Sequence, residues 1–256
     1  MTEAWHKRRI NRVDARTKAM ASAMSSWLRR YALFASRTLR EVWQVEKGKV
    51  TDKSLEDALF TLLWRYGLRQ MQEAGEKAAG SVGASWVMPP QVKADYMRQT
   101  RTKAKLIIAE TENQVRESVN RMVAESLTED PRPSQREIAR RLARTWHGDE
   151  REGVFSFERG ELIARTELVQ AENTGIAQGL SDSGVKRVKW LARTDGKSDD
   201  RHHERMNGKT IPLAAMNGAD DSKWFKLPDG TRARYPGWPG LPIKHLANCR
   251  CTLVPA

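Results

Sequence analysis

Six side chains of metal-ligating type crowd towards one end of this sequence: Asp195, His202, His203, His245, Cys249 and Cys251. Thiolate and imidazole are the donors that zinc takes, usually four of them in a tetrahedral array. Both cysteines of the chain and three of its five histidines fall between Ala164 and Ala256. A structural zinc held by Asp195, His203, His245, Cys249 and Cys251 is therefore one expectation. A Cys-x-x-Cys knuckle is absent, so the bland alternative stands beside it: polar groups that hydrogen-bond one another and staple a small, turn-rich module. A catalytic version also exists, in which an imidazole activates water and a divalent ion stabilises the charge of a phosphorane, as in a metal-dependent nuclease. It lacks an acidic pair at metal-ligand spacing, a Gly-rich phosphate loop, and a Ser or Cys nucleophile with an evident base. A non-enzymatic protein is expected.

The elements that must position these residues follow from periodicity. Apolar residues recur at three- and four-residue steps from Met20 through Trp27, Tyr31 and Leu39 to Trp43, with Asp14 a possible N-cap and Gly48 a stop. Residues 1–12 read as a loose basic arm. A second helix starts near Thr51-Asp52 and carries Leu55, Leu59, Leu62 and Leu63; Gly75, Gly80 and Gly83 weaken it, and Gly80–Ser85 reads as a loop. A third runs from about Val92 to Leu127 with a polar middle. Ser134-Gln135-Arg136-Glu137 is a capping box for a short helix to Trp146. Another helix spans about Phe157 to Asp182, with Gly184 at its C′ position. Val185–Leu191 alternates and reads as a strand, as does Thr252–Val254; Asn207-Gly208 and Asp229-Gly230 are hairpin signals. The expected fold class is α+β: a helical part over 1–155, then 156–256 as a helix packed on a short, irregular antiparallel sheet.

The chain is 256 residues long with a net charge of +13. Residues 1–50 hold 12 basic against 4 acidic groups and residues 183–256 hold 14 against 7, while 51–182 are nearly balanced at 19 against 21. Basic ends suit a polyanion such as double-stranded DNA, with Lys7, Arg8, Arg9, Arg12, Arg29 and Arg30 the candidate contacts. No run of about 18 apolar residues exists, so no membrane span is expected. Met1–Arg12 lacks the apolar stretch of a secretory signal, and two cysteines at i, i+2 do not make a disulfide framework, which points to a reducing compartment.

The blocks Ala164-Arg165-Thr166-Glu167, Ala171-x-Asn173-x-Gly175, Gly184-Val185, Trp190, Thr194-Asp195, His203, Asn207-Gly208-Lys209 and Asn248-Cys249-Arg250-Cys251 resemble, in order and spacing, the phage Mu F-type minor head proteins of the head morphogenesis family. The resemblance covers about Phe157 to Ala256. Where many members read His-Pro-Asn-Cys-Arg-Cys, this chain has His245-Leu246-Ala247-Asn248-Cys249-Arg250-Cys251. His203 is the counterpart of the family histidine, since it keeps the five-residue step to Gly208. The resemblance implies a minor capsid protein of a tailed phage, in several copies, associated with portal or major capsid protein and touching packaged DNA. It also implies a place in the virion head near the portal vertex, after assembly in the host cytoplasm. Arg165, Glu167, Asn173, Asp195, His203, Gly208, Cys249, Arg250 and Cys251 are expected to hold the module together, with Arg165 and Glu167 pairing with Asp195 or the Arg201 segment. A metal-dependent nuclease, or a DNA-binding regulator built on the Ser134–Trp146 helix, is the alternative.

Overall fold

The fold is taken from a computed structural model that describes residues 3–41, 53–129, 137, 140–141, 144, 153–192, 201–218, 220–247 and 249–256. Helices come first: α1 Glu3–Glu41, α2 Lys53–Gly80, α3 Pro90–Leu127 and α4 Phe157–Asp182. Then follow β1 Arg187–Leu191, α5 Arg201–Glu204, β2 Thr210–Pro212, α6 Leu213–Asn217, a 3-10 turn at Asp221–Lys223, β3 Phe225–Lys226, β4 Arg232–Ala233, a second 3-10 turn at Ile243–His245, and β5 Thr252–Pro255. The protein is α+β as expected. Among the described residues no helix is long and apolar enough to cross a membrane.

The chain divides into two compact units, one of Met1–Lys18, Arg65–Tyr96 and Leu162–Ala256, the other of Ala19–Trp64 and Met97–Glu161. A cut near 155/156 thus separates neither unit cleanly, because the C-terminal module draws in α1 and α2 residues from far upstream. In the first unit, β1 is the centre of a three-stranded antiparallel sheet in the order β2-β1-β5. Val188 sits opposite Ile211 and Pro255, and Trp190 opposite Leu253. Alternation along β1 turns Val188 and Trp190 inward. Ile176, Ala177 and Leu180 of α4 and Ala74 and Ala78 of α2 close over them in one core. Gly175 and Gly179 let α4 approach α2, since a Cβ at Gly175 would stand 2.1 Å from the Met71 carbonyl oxygen and one at Gly179 2.4 Å from that of Gly75.

The helix ends agree with their chemistry. At the end of α4, Val185 N–H donates to Leu180 O (3.2 Å) and Gly184 N–H to Ser181 O (3.1 Å), with Gly184 at φ +73°. That is the paired bonding of a Schellman stop. Asp229-Gly230 lies in the β3–β4 hairpin, where Phe225 pairs with Ala233. Asn207-Gly208 instead closes the turn from α5 into β2, with Gly208 at φ +81°. Asp14 is not an N-cap: α1 starts at Glu3, and the expected basic arm is its first turns. The reason is tertiary, because Arg9, Val13 and Thr17 recur at four-residue steps and are buried.

The second unit has its own core. Met20, Met24, Trp27, Leu28 and Tyr31 of α1 and Leu55, Leu59 and Leu63 of α2 are buried, and the Trp27 indole N–H donates to Leu55 O at 2.8 Å. The polar middle of α3 is packed after all, through small hydroxyl residues: Thr100, Ala104, Ile108, Thr111, Val115 and Ser118 form a buried stripe. The Thr111 hydroxyl donates to Ile107 O (2.7 Å) and accepts from Arg159 (3.1 Å). Of the Ser134–Trp146 helix, Glu137, Arg140, Arg141 and Arg144 are described and helical; Ser134, Gln135 and Arg136 of its capping box and Trp146 lie outside the described residues, as does the Gly48 stop.

Candidate metal centre

His203 is carried on the short helix α5 and is 1% exposed. Cys249 and Cys251 lie on the extended run entering β5, where alternate side chains share a face, so both sulfurs point the same way. They are 1% and 2% exposed. His203 Nδ1 stands 3.5 Å from Cys249 Sγ and 3.7 Å from Cys251 Sγ. All three donor atoms lie within 4.8 Å of one another, and both cysteines are free. The Cys251 thiol is held below its ordinary value, first by its hydrogen bond to Cys249 and then by His203, against the opposing effect of burial.

The surroundings are aromatic and apolar. The edge of Trp190 meets His203 at 5.3 Å between centroids and 75°, and the same indole meets Phe225 at 5.2 Å. The His245 ring stacks on His203 at 5.6 Å and 13°. His245 is not, however, in the donor trio. Its Nε2 bonds Asp229 Oδ2 at 2.9 Å, and the carboxylate also takes Lys244 Nζ at 2.7 Å. The Lys244 ammonium, the Thr231 backbone and His245 hold the Asp229 carboxyl well below the usual carboxylate range. An ionised carboxylate only accepts, so Nε2 is the protonated nitrogen of that imidazole. His245 ends the 3-10 turn Ile243–His245, where it braces His203 from the ring face. Asp195 lies outside the described residues, as do the side chains of His202 and Arg201 and residue Asn248.

A second set of buried polar groups anchors the cysteine run. Asn173, fully buried on α4, donates from Nδ2 to Cys251 O at 2.9 Å. Arg9 of α1 donates to Glu172 Oε2 at 2.5 Å and reaches Arg250 O (3.3 Å) and Cys251 O (3.5 Å). Arg9 is 2% exposed and Glu172 5%. Arg9 therefore does not belong among the nucleic-acid contacts; it is an internal cation, while Arg8, Arg12, Arg29 and Arg30 are exposed and the side chain of Lys7 lies outside the described residues. Burial pushes the Glu172 carboxyl up, and the Arg9 guanidinium pulls against it. Sequence reasoning missed Glu172 as a functional partner, although a signal existed. It is the one acidic residue on the apolar stripe Leu168, Val169, Glu172, Ile176 and Leu180. Asp229 had no such signal beyond its hairpin glycine.

The remaining motif residues take structural positions. Arg165 and Glu167 are half-buried on α4. The Trp190 backbone spans the Gly208 turn, with Trp190 N–H to Lys209 O at 2.8 Å and Gly208 N–H to Trp190 O at 2.9 Å. Asn207 Oδ1 accepts from Ala192 N–H at 3.1 Å. Comparison of the chain with protein families, with characterised proteins and with solved structures gave no match.

Proposed function

We propose that this chain is a non-enzymatic minor head protein of a tailed phage, held against portal or major capsid protein and in contact with packaged double-stranded DNA. The observation that carries the reading is the burial of the motif residues. His203, Cys249, Cys251 and Asn173, which bear the resemblance to head morphogenesis proteins, are interior groups that tie α4, α5 and the β5 run together. A hydrolytic metal must present an open coordination position to a phosphate. Donors exposed by 2% or less suit a fixed scaffold instead. The exposed guanidinium groups of Arg8, Arg12, Arg29 and Arg30 support sequence-independent contact with phosphate, which weakens steeply with salt.

The test is quantitative mass spectrometry of intact virions and of procapsids. Recovery at a few to tens of copies per particle is the expected result. Absence from both particles overturns the head reading. A plasmid-cleavage assay with Mg²⁺, Mn²⁺ or Zn²⁺ runs beside it, and cleavage abolished in His203→Ala would transfer the proposal to a nuclease.

A further inference from the structure

We propose that His203, Cys249 and Cys251 are the protein ligands of a structural zinc ion, through Nδ1 and the two Sγ atoms. This inference does not depend on the head reading. It starts from spacing. At Zn–S of about 2.3 Å and Zn–N of about 2.0 Å, the edge of a tetrahedron joining S to N is about 3.5–3.6 Å. The two observed S···N separations are 3.5 and 3.7 Å. Two of the three donor separations thus match a tetrahedral site at ordinary bond lengths, and all three donor atoms lie within 4.8 Å of one another.

Charge is the second argument. The trio lies in a core with Trp190, Met206, Phe225, Leu246 and Leu253. An uncompensated ion there is costly. Zn²⁺ bound by two thiolates and a neutral imidazole is electrically neutral as a unit. Binding releases the two thiol protons to solvent, breaks no other bond and needs no oxidant. Among the described residues no fourth side chain joins the trio. The third argument is need. The strands of this part are two to five residues long, and the segment from α5 to β5 is mostly turns. Such a module has little regular hydrogen bonding to hold it, and a metal supplies a cross-link between α5 and the β5 run. Asp229 bonded to His245, which stacks on His203, and Trp190 against its edge fix the ring plane that a metal-bound imidazole requires.

The experiment uses the full chain, purified under reducing conditions with zinc in excess and then dialysed. Elemental analysis is expected to give about one zinc per chain. Titration with a mercurial that blocks thiols should release that zinc as the two cysteines react, a readout that needs no variant. Replacement by Co²⁺ should give the thiolate charge-transfer band and strong visible bands of a tetrahedral site. Stripping the metal with a strong chelator should lower Tm by about 10 °C. His245→Ala should keep its zinc, whereas Cys249→Ser and Cys251→Ser should lose it. Zinc well below one per chain with no Co²⁺–thiolate band overturns the proposal, leaving the trio as thiols hydrogen-bonded to an imidazole. A different metal at full occupancy overturns the assignment to zinc.

Discussion

Replacing Arg9 by Met keeps most of the side-chain volume and deletes the charge, which leaves the Glu172 carboxyl buried without its cation. Both partners are almost fully buried, at 2% and 5% exposure. Breaking such a pair from one side costs about 3–5 kcal/mol, most of it the penalty on the orphaned charge. The long bonds to Arg250 O and Cys251 O add at most ~1 kcal/mol. Where the Glu172 carboxyl is ionised, Arg9→Met should therefore destabilise the first unit by about 4 kcal/mol, or ~10 °C in Tm for a chain of this size. The loss should depend on pH with a definite sign. Burial already raises the Glu172 carboxyl, and removing Arg9 raises it further. A group whose folded pKa is raised contributes stability that is present below its unfolded pKa, 4.5, and lost as pH rises through the folded value. The deficit of Arg9→Met should thus be small near pH 4 and grow as pH rises towards the raised folded value of Glu172. Adding Glu172→Leu should recover most of it, because the pair is then replaced by apolar groups of similar size. The assay is urea unfolding of the four proteins of this double-mutant cycle at several pH values. A single Arg9→Met within ~1 kcal/mol of wild type, flat with pH, would refute the reasoning.

Three further outcomes are expected. Glu73 is drawn down to about 2: burial raises it, but Arg16, Arg69 and Lys77 together outweigh that. Its folded pKa is depressed, so its contribution is present above the unfolded pKa of 4.5 and lost as pH falls towards 2. With the side chain 27% exposed, solvent screening limits this to about 1 kcal/mol, and Glu73→Gln should match wild type only in acid. Gly175→Ala should cost about 2–3 kcal/mol, because its Cβ meets the Met71 carbonyl; Gly80→Ala, with nothing within 4 Å, should be neutral or stabilising, and equal effects at the two sites would contradict the close helix approach. Asn173→Ala should cost about 2 kcal/mol by removing the donor to Cys251 O, measured by denaturant midpoint.

Helix α4 was legible to the residue, because its apolar period is sustained and a glycine stands where a left-handed C′ residue is needed. The alternation of Val188 and Trp190 likewise marks β1. The start of α1 was not legible. Its first turns are rich in arginine, and the partner that makes one of those arginines an interior residue is Glu172, 163 residues away. Gly75 reads as a helix-weakening residue along the chain, yet in three dimensions it is a point where Gly179 of α4 and the Trp86 ring pack close against α2. The metal-type cluster was visible as composition, and the longer step from His245 to Cys249 already set His245 apart from it. Only the position of Asp229 decides which way that imidazole turns.

The bonds from Arg9 to the Arg250 and Cys251 carbonyls join residues 241 and 242 positions apart. On a ribosome adding ~5–20 residues per second, residue 9 is made roughly 10–50 s before residue 250. Late in that interval Glu172 emerges to meet Arg9, but the cysteine run that Arg9 also bonds does not yet exist. The first unit therefore cannot close during synthesis of its early helices. Its completion is a late, long-range event of the kind that folds slowly and exposes apolar surface while it waits. A tag or partner that delays residues 249–255 should trap the chain with α1 formed and its C-terminal sheet open, a state that chaperones would recognise.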